Sequence, residues 1–450
     1  MPTDAQPQKS FFKVLGPGLL FAGTSVGVSE LIQSTRAGAD YSFALLAVVV
    51  LACALKYPAF AFGPWYAHAT GVSLLEGFRR QGKWALGVYL VVTLGTVFTV
   101  QAVVTLIAAS LLSAVVVSMF ESANFKFMPG GLNMGLPVVL SGVLLAICAG
   151  LLKLGRYKWL DTINKFFILL LTISTLVATV LALTQLDLGR AELLPPESAF
   201  TNRDEILRIT GLIGWTPSAY DVAVWHSLWF LAHKLESKHT PALREARLEF
   251  NIGYWFSSAT SVCFLILGAC MIYHVQGAQF RASPVLFATD LINLYVRQFG
   301  EWSRPVIGIC AFSAMFSTVL VVTDSFPRVL SILVKRFQEP EQPESSPVLP
   351  KRIYWIAMGV ISTLALLILA VALGEKPLGG GIQLTLLIDI ATTLSFLSAP
   401  VLGVLIHRAM FSRDVPDAMR PGTFLRRASV FSIGFSALFA SYFLWLRFLT

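Results

Sequence analysis

Two carboxylic acids follow interruptions in otherwise apolar stretches of the sequence. Glu30 lies about one helical turn beyond a cluster of glycines and small hydroxyl residues, and Asp221 lies about one turn beyond a similar cluster. Ionisable residues inside membrane spans are costly, so both are candidate functional residues. Each carboxylate could bind a cation, carry a proton or cap a half-helix. Glu30 stands three residues after Gly27, the spacing of a carboxylate that folds back on a helix start.

Small residues at the same two interruptions are the candidate ligands of a substrate. They are Gly23, Thr24, Ser25, Gly27, Ser29, Thr216, Ser218 and Tyr220. Backbone amides and hydroxyls at half-helix N-termini favour a small oxyanion, and bicarbonate has this chemistry. The two carboxylates favour the alternative, a hard oxygen site for Mg²⁺ or Mn²⁺. They could equally hold a coupling Na⁺ or H⁺ beside an anion, and we favour the anion.

Three further ionisable residues interrupt apolar stretches. Lys56 lies deep in the second stretch, where it either reaches towards the inner surface or has a role inside the protein. His226 is typical of a histidine in a packed core, and Asp389 is a weaker candidate in the tenth stretch. The sequence contains no catalytic triad, phosphate-binding loop or zinc-ligand spacing, so it does not indicate an enzyme or a cofactor.

The elements that position these residues are membrane-spanning helices. The chain has 450 residues, of which 56% are hydrophobic and 13% charged, a composition typical of a polytopic helical membrane protein. We predict eleven spans, at 14–35, 42–66, 84–118, 136–152, 159–184, 206–231, 250–275, 303–324, 353–373, 382–407 and 428–449. The segment 283–300 is amphipathic and predicts a surface helix. The Pro- and Glu-rich stretch 338–350 predicts a flexible cytoplasmic loop.

The distribution of basic residues predicts the orientation. Most of the 34 lysines and arginines fall in alternate connecting segments, which places the N-terminus in the cytoplasm and the C-terminus outside. The charge of +9 therefore faces anionic lipid and not nucleic acid. We expect a bacterial inner-membrane protein.

The two interrupted spans are the first and the sixth, so each begins a half of five spans. The first half covers 14–184, the second covers 206–407, and 428–449 is an additional helix. Paired broken helices indicate an inverted repeat with its substrate site between the halves. A channel would not need broken helices five spans apart, so the pattern favours a transporter.

Short motifs in both halves resemble those of the Nramp family of proton-coupled divalent metal transporters. They are GPG at 16–18, AGAD at 37–40, GLIG at 211–214 and His226-Ser227. The resemblance covers nearly the whole chain. It implies an all-α LeuT-type fold of two inverted five-helix repeats, with helices 1 and 6 broken and an eleventh helix added.

The resemblance departs from the family pattern at the metal site. The family's Asp-Pro-Gly-Asn, whose Asp and Asn bind the metal, corresponds to GVSE at 27–30, and its Met-Pro-His corresponds to SAY at 218–220. The third helix lacks the family's acidic proton-relay residues. We therefore predict a secondary transporter that moves a small inorganic ion by alternating access and favours an oxyanion. The alternatives are a divalent cation transporter and a non-transporting sensor on the same fold.

Overall fold

The computed structural model describes residues 27, 29–121, 135–155, 157–184, 186, 192–237, 242–273, 284–338, 350–373 and 384–449, and these residues form helices and connecting turns without a β-strand. Three predicted site residues, Gly23, Thr24 and Ser25, lie outside this part of the chain. So does most of the predicted loop at 338–350.

We number the helices in chain order. They are α1 (Thr35–Tyr41, entered through a π-helical turn at Ser29–Ser34), α2 (Leu46–Thr70), α3 (Leu74–Gln81), α4 (Lys83–Glu121), α5 (Gly135–Leu154), α6 (Tyr157–Thr184), α7 (Arg203–Trp215), α8 (Asp221–Ser237), α9 (Leu243–Gly268, extended by a π-helical turn at Ala269–Tyr273), α10 (Pro284–Phe299), α11 (Ser303–Gln338), α12 (Lys351–Leu373), α13 (Leu384–Met410) and α14 (Thr423–Phe448). Short helical turns lie at Ser198–Thr201 and Asp417–Met419.

The helices match the predicted spans. In the described ranges, nine helices are long and apolar enough to cross a membrane: α2, α4, α5, α6, α9, α11, α12, α13 and α14. The sixth predicted span is divided between α7 and α8. Of the first predicted span, 14–35, the described part is Gly27 and the π-helical turn that leads into α1 at Thr35, and the rest lies outside the described residues. The 16-residue α10 contacts α4 and α11, and Phe287, Leu291 and Tyr295 are buried on it. It is too short to count as a span.

The interruption of the sixth span lies later than the glycines suggested. Gly211 and Gly214 are inside α7, which continues to Trp215 before the non-helical residues 216–220. A Cβ atom on Gly214 would overlap the backbone oxygen of Thr392 in α13, so this glycine allows two helices to approach closely. Pro217, which has no amide hydrogen to donate, falls within the interruption.

Corresponding helices of the two halves pack on each other. The second and seventh spans, α2 and α9, are in contact, and so are the third and eighth, α4 and α11. Contacts between equivalent elements are what a two-fold relation between repeats produces. The repeat boundaries at residues 184 and 206 stay predictions.

The eighth span is longer than predicted. Helix α11 continues past residue 324 to Gln338, because its basic residues find acidic partners beyond the apolar part. Arg328 bonds Asp324 one turn earlier, and the Arg336 Nε atom lies 3.6 Å from Glu76 of α3. Glu76 is 1% exposed and also accepts hydrogen bonds from Arg79 and Arg80. This ion cluster joins α3 to the end of α11.

Burial and ion pairing act in opposite directions on Glu76. Burial raises the pKa of the carboxyl, but the hydrogen bond from Arg79 and the charges of Arg79 and Arg336 lower it, with a further hydrogen bond from Arg80. The net effect holds the pKa of Glu76 below its ordinary value of 4.5. The carboxyl is therefore ionised at neutral pH and binds its three arginines as a charge.

Candidate functional site

Glu30 closes the first turn of the half-helix that follows the interruption in span 1. Its Oε2 atom accepts hydrogen bonds from the Gly27 amide at 3.1 Å and from the Ser29 hydroxyl at 2.5 Å. Its Oε1 atom accepts from the Ser257 hydroxyl of α9 at 2.6 Å. The side chain is fully buried and forms no ion pair with any described residue. Glu30 is thus a helix cap by geometry, which leaves it available as a ligand because a carboxylate has about four acceptor sites.

These contacts weaken the basis of the oxyanion prediction. The Gly27 amide and the Ser29 hydroxyl were expected to face a substrate, but both bond Glu30. A Cβ atom on Gly27 would lie 2.8 Å from the Thr318 hydroxyl of α11, so the space that a longer side chain would need is filled. An internal carboxylate therefore already occupies the N-terminus of this half-helix.

Lys56 of α2 reaches the interruption in span 6. Its Nζ atom donates to the backbone oxygens of Gly214 at 2.8 Å and Ser218 at 3.0 Å, and it lies 5.6 Å from the centre of the Tyr220 ring. The residue is 4% exposed. Lys56 therefore points into the protein, and the alternative that it extends towards the inner surface is wrong.

Asp221 begins α8 on the other side of the same interruption. It is buried, and within the described ranges its Oδ1 atom has no hydrogen-bond partner. Tyr89 of α4 is near enough to interact with it electrostatically. The Thr216 hydroxyl is also buried and lacks a partner among the described residues. Buried polar atoms are normally satisfied, so these two mark positions for a water, an ion or a substrate group.

A small cavity lies between the two interruptions. Its volume is about 50 Å³, and it is lined by Ser29, Val100, Val104, Trp215, Ser218, Ala219, Val222, Trp225, Thr318 and Val322. The Ser29 hydroxyl lies 3.4 Å from the Pro217 backbone oxygen, so the two interruptions meet at this cavity. A water molecule needs about 10–15 Å³ measured in this way, so the cavity admits only a species of a few atoms. Its lining includes three hydroxyl residues, Ser29, Ser218 and Thr318.

A second, larger cavity opens beside the start of α7. Its volume is about 660 Å³, and its lining includes Asp40, Glu205 and Arg208. Near it, Arg36 of α1 binds Asp389 of α13 through two hydrogen bonds, of 2.7 and 3.1 Å. Asp389 is therefore half of a buried ion pair that joins the two halves of the fold. Sequence reasoning missed Arg36 because the predicted first span ended one residue before it.

Of the predicted site residues that the structure describes, Ser29 and Ser218 line the central cavity, whereas Glu30, Asp221 and the others lie outside its lining. Tyr220 and His226 are directed towards other parts of the protein. The Tyr220 hydroxyl is 3.4 Å from the Ser432 hydroxyl of α14, so this side chain extends towards the eleventh span. The His226 ring lies among aromatic side chains, 5.7 Å from Phe250 and 6.3 Å from Trp229 between ring centres. This environment fits the packed-core interpretation of His226.

The donor set differs from that of a dedicated transition-metal site. Among the described residues, no three His, Cys, Asp or Glu side chains come together as a metal site would require. Two residues near the cavity that sequence reasoning missed, Thr318 and Ser257, come from α11 and α9. Each is one of several hydroxyl residues in its helix, so the sequence gives no signal that singles it out.

Comparisons with known proteins agree with this architecture. The family model for Nramp, described as natural resistance-associated macrophage protein-like, matches residues 18–446. An uncharacterised protein of Pasteurella multocida is 31% identical over 321 residues, which cover 71% of this chain and 70% of that protein. The divalent metal cation transporter MntH of Staphylococcus aureus is 22% identical over 323 residues. That match covers 70% of this chain and 65% of the staphylococcal protein.

Solved structures with a similar fold include a manganese transporter and MhsT. The Eremococcus coleocola manganese transporter, in complex with an aromatic bis-isothiourea compound, matches with a TM-score of 0.62 and 14% identity over 98% of this chain and 87% of its own. MhsT in complex with L-phenylalanine matches with a TM-score of 0.66 and 14% identity, over 96% of this chain and 98% of its own. The fold is therefore the predicted LeuT-type arrangement, and the break of helix 6 lies within the described residues.

Proposed function

Because the chain belongs to the Nramp family, we propose that it is a secondary transporter that carries a hard divalent cation, Mg²⁺ or Mn²⁺, by alternating access. The cation would bind where the interruptions of spans 1 and 6 meet. The family and the transporter fold support transport of a small inorganic ion, and the side chains at the crossing support this narrower class.

One observation carries the proposal: each interruption has its own buried carboxylate. Glu30 and Asp221 both lie inside the protein, and neither forms an ion pair with a described residue. A buried carboxylate without a positive partner is costly, so a site with two of them favours positive charge. We propose that Glu30 faces the carried cation and that Asp221 holds a coupling proton on its unpartnered oxygen.

The remaining donors favour hard cations over soft ones. The cavity lining includes the hydroxyl residues Ser29, Ser218 and Thr318, and carboxylate, hydroxyl and carbonyl oxygens are the ligands of Mg²⁺ and Mn²⁺. The described lining of the cavity contains no thioether, thiol or imidazole. The name of the staphylococcal relative, a divalent metal cation transporter, agrees with a divalent cargo.

A small oxyanion such as bicarbonate is the second candidate. The observation in its favour is Lys56, whose buried ammonium group lies at the span 6 interruption. The observation against it is Glu30, which takes up the amide and hydroxyl donors of span 1. A non-transporting sensor is the third class.

The test is flux into proteoliposomes, with metal and bicarbonate measured side by side. We expect saturable uptake of Mn²⁺ that Mg²⁺ inhibits and that the softer Cd²⁺ inhibits weakly. Empty liposomes and the Asp221→Asn variant are the controls, and the variant should lose the dependence of uptake on a pH gradient. A change of internal pH on a bicarbonate gradient, without metal uptake, would support the oxyanion instead. Absence of both fluxes with folded protein would support the sensor.

The cellular setting is part of the same proposal. We propose a bacterial inner membrane, since the matching relatives of Pasteurella and Staphylococcus are bacterial. The distribution of basic residues supports a cytoplasmic N-terminus and a C-terminus on the outside.

A further inference from the structure

The C-terminal end of α7 is a site for positive charge. The last carbonyl groups of a helix have no intrahelical donor, and they carry the negative end of the helix dipole. Here the Gly214 oxygen lies in the final turn of α7, and the Ser218 oxygen lies in the non-helical residues that follow. Both point at one atom, the Lys56 Nζ, at 2.8 and 3.0 Å.

The surroundings of the Lys56 ammonium are those of a bound cation. Its hydrogen-bond partners are two backbone oxygens, and the face of Tyr220 lies 5.6 Å away, within the range of a cation–π contact. It forms no ion pair with a carboxylate in the described part of the chain. The Lys56 side chain extends from α2 and contacts Gly214, which lies 158 residues later in the chain. Backbone oxygens thus coordinate this ammonium group as they would coordinate a metal ion.

In transporters with broken helices, unwound carbonyls and half-helix C-termini coordinate an exchangeable coupling cation such as Na⁺. We infer that the Lys56 ammonium is a tethered replacement for an exchangeable monovalent cation at the span 6 interruption. The inference uses the transporter fold but does not depend on which ion the protein carries. It follows that neither the stability nor the transport activity of the protein requires Na⁺ or K⁺.

The inference is tested by removing the tether and supplying the ion. Lys56→Ala leaves the two carbonyls with space beside them, whereas Lys56→Met fills most of that space without a charge. Lys153→Ala, at an exposed lysine of α5, is the matched control. Apparent melting temperatures are measured for the purified proteins in NaCl and in choline chloride at equal ionic strength.

We expect only Lys56→Ala to respond to Na⁺. It should melt below the unmodified protein in choline and recover by several degrees as Na⁺ is titrated, since a ligand that binds the folded state raises its stability. The unmodified protein, Lys153→Ala and Lys56→Met should melt at the same temperature in both salts. Stabilisation of the unmodified protein by Na⁺, or a Lys56→Ala variant insensitive to Na⁺, would overturn the inference. So would failure of Lys56→Ala to fold even in NaCl.

Transport supplies a second, separate readout. Uptake by the unmodified protein should be equal in Na⁺ and choline, and uptake by Lys56→Ala should require Na⁺. Because the melting experiment needs no cargo, it remains decisive if no metal uptake is found. Conversely, metal uptake with a Na⁺-insensitive Lys56→Ala variant would leave the proposed function intact and remove the tethered-cation role.

Discussion

Replacing Glu30 separates its role as a helix cap from its role as a ligand. The carboxylate accepts three hydrogen bonds, from Gly27, Ser29 and Ser257. Glu30→Ala would leave three buried donors without an acceptor, at about 1–3 kcal/mol for each that finds no new partner. The two hydroxyls can rotate to new acceptors but the Gly27 amide cannot, so we expect the free energy of unfolding to fall by at least about 1–3 kcal/mol, the cost of the amide alone. Such a loss is a large fraction of the stability of a typical protein.

Glu30→Gln changes the charge and keeps the shape. The amide oxygen can still accept from Gly27 and Ser29, and the amide nitrogen can donate to the Ser257 hydroxyl. The free energy of unfolding should fall by about 1–2 kcal/mol, the difference between charged and neutral hydrogen bonds. If Glu30 faces the carried cation, this variant folds, as judged by its melting temperature and monodisperse elution, but loses saturable metal uptake.

The matched control removes a donor and leaves the charge. Ser257→Ala deletes the hydrogen bond to Oε1 at a cost of about 1 kcal/mol and should retain transport. The reasoning is refuted if Glu30→Gln takes up metal with the capacity and half-saturation of the unmodified protein. Glu30 would then be a cap alone.

Three other predictions concern two ion-pair clusters and the topology in the membrane. Arg36→Met should lower the free energy of unfolding by about 3–5 kcal/mol, because it leaves the buried Asp389 carboxylate without a positive partner. The double variant Arg36→Met with Asp389→Leu should lose far less stability. Equal losses in thermal or denaturant unfolding would contradict a buried ion pair. The folded pKa of Glu76 is below its unfolded value, so the stability from its arginine cluster is complete above about pH 4.5 and is lost as pH falls through the folded pKa. Melting curves from about pH 7 to about pH 3 should therefore show a loss of stability in acid that the Glu76→Gln variant lacks. Identical acid sensitivity of the two proteins would refute this prediction. Tags on the two chain ends should report opposite sides of the membrane, and two cytoplasmic ends would show a miscounted span.

Sequence reasoning succeeded where the relevant interaction is local. Long apolar runs predicted the spans because a helix needs about 20 apolar residues to cross a bilayer. The three-residue spacing of Gly27 and Glu30 predicted the cap because both partners lie in one turn. The Gly and Pro cluster at 211–217 predicted an interruption in the right span, whereas most of the corresponding cluster in span 1 lies outside the described residues. The predicted residues Thr216, Ser218 and Tyr220 do lie in the second interruption, but Gly211 and Gly214 lie inside α7. A glycine that lets a neighbouring helix approach cannot be distinguished in sequence from one that ends a helix.

The contacts that define the site were decided by tertiary structure. Lys56 meets the Ser218 oxygen across 162 residues, Ser257 meets Glu30 across 227, and Arg36 meets Asp389 across 353. Sequence alone indicated that such charged residues inside apolar helices are costly and need a partner. Which partner each one finds depends on how the two halves cross, and residue periodicity carries no information about that crossing. The sequence thus determined the helices and the chemistry available, and the packing of the halves determined which groups meet.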